Sequence, residues 1–286
     1  MHPALRPPDE LAHGDFEMVV RRLADDLAFG MDVSRFVGSG LEYAQSRPYA
    51  PGDPMKSMDW RITARLGKPF VKEYETLKRT GMFLLVDTSA SMGVGSTPLT
   101  KHDLAIWIAA AVGLVGQRRM SPVAVIGGGE RETRVEPSLR RGDLWRALDP
   151  LRSASLDEGT RLAERLADID ARASRASMVI AISDLHDPEA IGALRHAALK
   201  HDCIALHLLD PAERGRLRAG FYRGQEAETG RIFAGHGHVG WPGEGELASD
   251  LARSGVSYLR LQTDQSFLAP LRHFLSFRPS IGGGRG

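Results

Sequence analysis

Residues 82–92 read Met82-Phe83-Leu84-Leu85-Val86-Asp87-Thr88-Ser89-Ala90-Ser91-Met92. The apolar run has strand length and no polar alternation, the pattern of a strand buried on both faces. It stops at an acid, and hydroxyls follow at every second position, Ser89 and Ser91. A buried strand with this ending delivers three oxygen groups to one point in space. Hard divalent cations such as Mg²⁺ prefer oxygen-only ligation. Asp and Ser are also common in plain strand-to-loop turns, where their side chains bond nearby backbone groups. By itself the stretch is compatible with both.

Two later segments bear on the choice. Residues 155–162 (Ser-Leu-Asp-Glu-Gly-Thr-Arg-Leu) place Gly159-Thr160 before a helical pattern, and residues 178–187 (Met-Val-Ile-Ala-Ile-Ser-Asp-Leu-His-Asp) are another buried strand ending in an acid. The Asp87-x-Ser89-x-Ser91 motif resembles the core of the metal-ion-dependent adhesion site of von Willebrand factor A domains. In that family a Thr on a second loop and an Asp after a later strand complete the site, in that chain order. Thr160 and Asp184 match those positions. The resemblance implies a site for Mg²⁺ (or Mn²⁺) built from Asp87, Ser89, Ser91, Thr160 and Asp184. It also implies a protein partner that presents an acidic residue to the metal.

The 286 residues suit one large domain plus an extension, and 42% hydrophobic with 26% charged residues is ordinary for a globular chain. A formal net charge of +1 gives no global field that would draw nucleic acid or an anionic membrane. The one cysteine, Cys203, excludes an internal disulfide and sits in an apolar strand pattern, so a reducing, cytoplasmic compartment is expected. The start lacks the apolar core of a signal peptide, and the uncharged stretch 104–117 falls short of the roughly 18 to 20 residues of a membrane span.

Along the chain, residues 11–29 have helical spacing, and 30–81 break into short pieces rich in Gly, Pro and charge. From Met82 strands (82–86, 123–126, 178–183, 203–208, 257–261) alternate with helices (100–119, 141–151, 160–173, 188–200, 244–254, 265–274). Residues 132–135 are expected to return antiparallel after a Gly127–Gly129 turn, and 221–233 to form a hairpin. The alternation predicts an α/β fold with a doubly wound, mainly parallel sheet, preceded by an N-terminal helix and an irregular extension. In such sheets ligands bind beyond the carboxyl ends of the strands, where Asp87 and Asp184 both fall. The expected organisation is 1–80 as helix and extension packed on the domain, 81–278 as the A-like domain, and 279–286 as a disordered tail.

The extension carries a longer signature. Gly40, Glu42, Tyr43, Arg47, Tyr49, Gly52, Asp53, Asp59, Trp60, Ala64 and Arg65 resemble the series of the bacterial domain of unknown function 58 family, which sets an A domain just downstream. Lys56 departs from the Arg usual there, and Lys cannot offer a planar fork to an anion. The resemblance spans roughly residues 15–275. It implies an adaptor or co-chaperone that works with a MoxR-type AAA+ ATPase. Arg47, Asp53, Asp59, Trp60 and Arg65 are the candidate partner-binding residues. Their plainer reading is a lattice of ion pairs and aromatic packing that replaces missing ladder bonds in an irregular segment.

Other groups carry less. His236 and His238 lie in a Gly-rich loop without a third ligand nearby. His186 suits the rim of the site, since Mg²⁺ prefers oxygen, and Asp187 suits a helix cap. Asp157 and Glu158 suit either metal-bound waters or a solvated loop. Two alternatives to an interaction module stand. One is a Mg²⁺-dependent phosphatase or phosphotransferase of haloacid-dehalogenase type. Those enzymes need a second acid two residues after the first, and Ser89 stands there. The other is a scaffold whose metal site stays vacant.

Overall fold

Strand β3 (Met82–Val86), buried at every position, lies in the interior of its sheet, flanked on both sides by parallel neighbours. In the computed structural model, residues 15–29, 41–76, 80–131, 133–214, 219–225, 232–237 and 244–278 are described. They form two compact units, Val33–Arg79 and the remainder of the chain on either side of it.

The larger unit contains a six-stranded sheet in the order β10-β7-β6-β3-β4-β5. Its strands are β3, β4 (Val123–Gly127), β5 (Arg134–Ser138), β6 (Met178–Ser183), β7 (Asp202–Leu209) and β10 (Ser257–Gln262). All neighbours run parallel except β5, which returns antiparallel on β4 as its sequence suggested. The fold is therefore a Rossmann-like, mostly parallel sheet flanked by helices. After β3 the chain moves outward through β4 and β5, then crosses back to β6 on the other side. The sheet's switch point lies between β3 and β6, where this architecture opens a crevice.

Helices cover both faces. On one, α5 (Leu162–Arg172), α6 (Pro188–Ala197) and α8 (Glu244–Arg253) supply Leu162, Leu166, Leu194 and Leu251 to a core with Phe83, Leu85, Val179 and Cys203. On the other, α3 (Lys101–Arg118) crosses the sheet and also packs on α1 (Phe16–Ala28) and α4 (Arg141–Arg152). Buried on every side, α3 has lost the polar stripe of a surface helix. Its start is set by a capping box in which Thr100 and Asp103 exchange backbone and side-chain bonds. Phe16 of α1 stacks on Trp107 of α3 with ring centroids 4.8 Å apart. Helix α1 therefore belongs with the sheet, while Val33–Arg79, grouped with it by sequence, forms its own unit. The remaining elements are the short α7 (Pro211–Arg214), the hairpin β8 (Ala219–Gln225) with β9 (Ile232–Gly237), and the final α9 (Leu268–Phe277). Residues 279–286 lie outside the described set, as do the side chains of His236 and His238.

The smaller unit is more regular than its composition suggested. Strands β1 (Leu41–Pro48) and β2 (Phe70–Thr76) pair antiparallel around helix α2 (Trp60–Leu66). Asp59 caps α2 by accepting from the Arg61 and Ile62 amides, and Gly67 closes it in the left-handed conformation at φ 68°.

Cys203 is fully buried in β7, and burial pushes its thiol up to about 12. Native protein at pH 8 should leave a thiol reagent such as dithionitrobenzoate unreacted, with one equivalent released on unfolding. Prompt native reaction would place the thiol at the surface.

Candidate functional site

The β3–β6 register builds the site. Val86 lies opposite Ile182, and the Asp87 amide bonds the Ile182 carbonyl at 3.0 Å, so the two chains leave the sheet side by side. Asp87 then faces Ser183, whose hydroxyl donates to Asp87 Oδ2 at 2.6 Å. The Ser89 amide donates to Asp87 Oδ1 at 2.9 Å, folding the turn back on its own acid. The Ser89 and Ser91 hydroxyl oxygens lie 3.1 Å apart. Ser91 lies near enough to Asp184 to help lower its carboxyl. Four of the five expected ligands thus meet at one end of the sheet.

The backbone of Thr160 is tied to a loop that packs against the end of β3. The chain bridges Ser89 with Glu158 and Gly129 with Thr160, and the Gly128 amide bonds the Val86 carbonyl at 2.7 Å. A Cβ on Gly128 would lie 2.6 Å from Leu162 Cδ2 and 3.2 Å from the Asp87 Cα and the Val86 carbonyl oxygen, so glycine allows this close approach. Thr160 precedes helix α5 instead of starting it, because Gly129 holds it in the bridge. Among the described residues its Oγ1 is buried and has no hydrogen-bond partner. Such a hydroxyl costs about 1–3 kcal/mol unless something else bonds it.

Charge is concentrated here. Burial, then the neighbouring Asp184 carboxylate, push Asp87 up to about 7. Burial works against the Asp184 charge too, but the Lys101 ammonium and His186 outweigh it and hold that carboxyl below its usual range. Lys101 Nζ, fully buried, lies 2.7 Å from Asp184 Oδ2 and also contacts Glu213 Oε1. Glu213 Oε2 accepts from the Asp210 amide at 2.9 Å, closing α7 onto the end of β7. His186 Nδ1 is 3.4 Å from Asp184 Oδ2, at the half-buried rim. Leu185, between Asp184 and His186, adopts φ 51°, a left-handed turn that costs about 1 kcal/mol for a non-glycine residue.

Glu158, open by sequence to either of two roles, is buried. Its carboxylate accepts from Thr88 Oγ1 at 2.7 Å and from the Arg131 amide at 2.8 Å. Asp157 is the exposed member of the pair, bonded to Arg131 and Ser155. Asp187 is a helix cap, accepting from the Glu189 and Ala190 amides. Sequence reasoning missed Lys101, Glu213 and Ser183. Only Ser183, beside Asp184 at a strand end, carried a signal that could have found it.

In the smaller unit, Arg47 and Asp53 form a two-pronged ion pair with both contacts at 2.7 Å. Asp53 also accepts from the Ala50 amide, and its carboxyl is lowered to about 2, first by Arg47 and then by that amide. Ser46 donates to Asp59 at 2.7 Å. These three candidate residues hold the unit's own turns. Trp60 is 63% exposed and Arg65 is exposed, and the paired Arg47 side chain is partly exposed as well.

A family model described as "Protein of unknown function DUF58" matches residues 45–235, well over half the chain. The chain belongs to this family. Uncharacterized proteins from Mycobacterium bovis and from two strains of Mycobacterium tuberculosis are similar to it, each 28% identical over 96% of this chain and 95% of their own. The crystal structure of an uncharacterized membrane spanning protein from Vibrio fischeri aligns with 67% of this chain and 94% of its own, at 14% identity and a TM-score of 0.28. That likeness is too slight to speak for fold or function. None of these descriptions names an enzymatic activity. Among the described residues no helix is long and apolar enough to cross a membrane.

Proposed function

We propose that this DUF58 member is a cytoplasmic, metal-dependent protein-interaction module with a von Willebrand factor A-like sheet. In this reading it acts as an adaptor or co-chaperone for a MoxR-type AAA+ ATPase. One observation carries the metal reading: the buried, unsatisfied hydroxyl of Thr160, whose loop is bridged at Glu158 to Ser89, in the turn that carries the Asp87, Ser89 and Ser91 oxygens. A Mg²⁺ or Mn²⁺ ion fits that donor set.

Ser89, Ser91 and Thr160 would offer neutral hydroxyl oxygens directly. Both Asp87 oxygens are already engaged, by Ser183 and the Ser89 amide, which suits an acid that balances charge and orients bound water. Asp184 is shared with Lys101 and plays the same part from the other strand. A dication held there supplies affinity for a carboxylate oxygen of the partner. The ATPase partner rests on the family resemblance alone.

A second reading, a scaffold that takes up no metal, is favoured by one contact: the Lys101 ammonium already neutralises part of the cluster. A thermal melt separates the two. Mg²⁺ at about 100 times its Kd stabilises by roughly 2.7 kcal/mol. That rise is expected in wild type and absent in Asp87→Ala and Asp184→Ala. Retention of a purified MoxR-type ATPase should need Mg²⁺ and fail in both variants. No rise in wild type supports the scaffold, and a rise that survives both substitutions places the ion elsewhere.

A further inference from the structure

We infer that Lys101 is a tethered cation built into the candidate metal site, which trims the charge of its three carboxylates to match a single dication. The inference rests on the proposed metal site and deepens it.

Lys101 sits where a lysine is least expected. It is the first residue of α3, at the positive end of the helix dipole, and its side chain is fully buried. Burying an ammonium costs several kcal/mol unless carboxylates surround it. Asp184 and Glu213 do so, from just past the end of β6 and from α7. The Asp184, His186 and Glu213 ligand atoms all lie within 4.8 Å of one another, a grouping that would suit a small cation. The cation present in that grouping is the lysine's own ammonium.

The charges then balance. Ionised Asp87, Asp184 and Glu213 carry three negative charges, and Lys101 with one dication carries three positive ones. A neutral site leaves an acidic partner unrepelled. Without the ammonium, the same carboxylates would hold a dication more tightly and carry a net negative charge with it bound. Lys101 therefore lowers metal affinity and keeps the loaded site receptive to an anion.

The test is direct Mn²⁺ titration, read by the loss of the free-ion electron paramagnetic resonance signal, on wild type, Lys101→Met and Lys101→Met/Glu213→Gln. The double variant removes one charge of each sign and keeps the cluster's balance, so it carries the comparison if the single variant does not fold. Lys101→Met is expected to bind Mn²⁺ at least tenfold more tightly than wild type, since a neighbouring charge shifts such equilibria by one to three decades, and the double variant about as tightly as wild type. Equal or weaker binding in folded Lys101→Met, or a double variant whose affinity departs tenfold from that of wild type, overturns the role of Lys101 and leaves the metal reading intact if wild type binds. Binding by Lys101→Met but not by wild type supports Lys101 as the blocking cation and overturns metal dependence in the natural chain. No binding by any of the three overturns both.

Discussion

Asp87→Asn is expected to stabilise the metal-free protein at pH 8 while abolishing its response to Mg²⁺. The carboxyl is almost wholly buried, and burial with the Asp184 charge raises it from 3.8 to about 7. For an acid raised on folding, the favourable contribution is complete below the unfolded value and is lost as pH rises through the folded one. Between pH 5 and pH 8 the metal-free wild type should therefore lose ground to the variant by on the order of 3 kcal/mol. The amide keeps the local bonds, since its oxygen accepts from the Ser89 amide and the Ser183 hydroxyl is free to rotate. Urea denaturation in EDTA at the two pH values measures the gap. With Mg²⁺ present at pH 8 the order should reverse, because proton and dication compete for the same carboxylate and metal affinity rises with pH. A gap that does not change with pH would show that Asp87 stays ionised in the folded protein.

Gly129→Ala should cost about 3 to 5 kcal/mol, the sum of overpacking and a lost charged hydrogen bond. A Cβ there would overlap the Glu158 carboxylate and Thr88 Oγ1. Glu158 has no easy retreat. It is buried, and its two oxygens are held by Thr88 and the Arg131 amide. Pushing it aside also disturbs the bridge that holds Thr160, so the Mg²⁺ response should weaken with stability. The double variant Gly129→Ala/Glu158→Ala removes the obstruction, and its cost should fall well below the sum of the two single costs. Full additivity in equilibrium unfolding would show that the two positions do not meet.

The strands and helices of the sheet were readable because burial on both faces leaves uninterrupted apolar runs, as in Met82–Val86 and Met178–Ser183, and because Thr100, Asp103, Asp187 and Pro188 mark helix starts. The hairpin and helix within 41–76 were not readable. Their Gly, Pro and charged residues mask periodicity, and pairing between strands over twenty residues apart leaves no local trace.

Local chemistry along the chain settled the α/β alternation, the acid at the end of each central strand and the pair of serines after the first. Those features depend on neighbours in sequence, and a strand end is a local event. Which groups share the crevice depended on the crossover from β5 back to β6 and on the three-dimensional closeness of α3, α7 and the Gly128–Gly129 loop. Lys101 carried no signal in sequence, because an ion pair across 83 or 112 positions forms only when folding sets Asp184 and Glu213 around it.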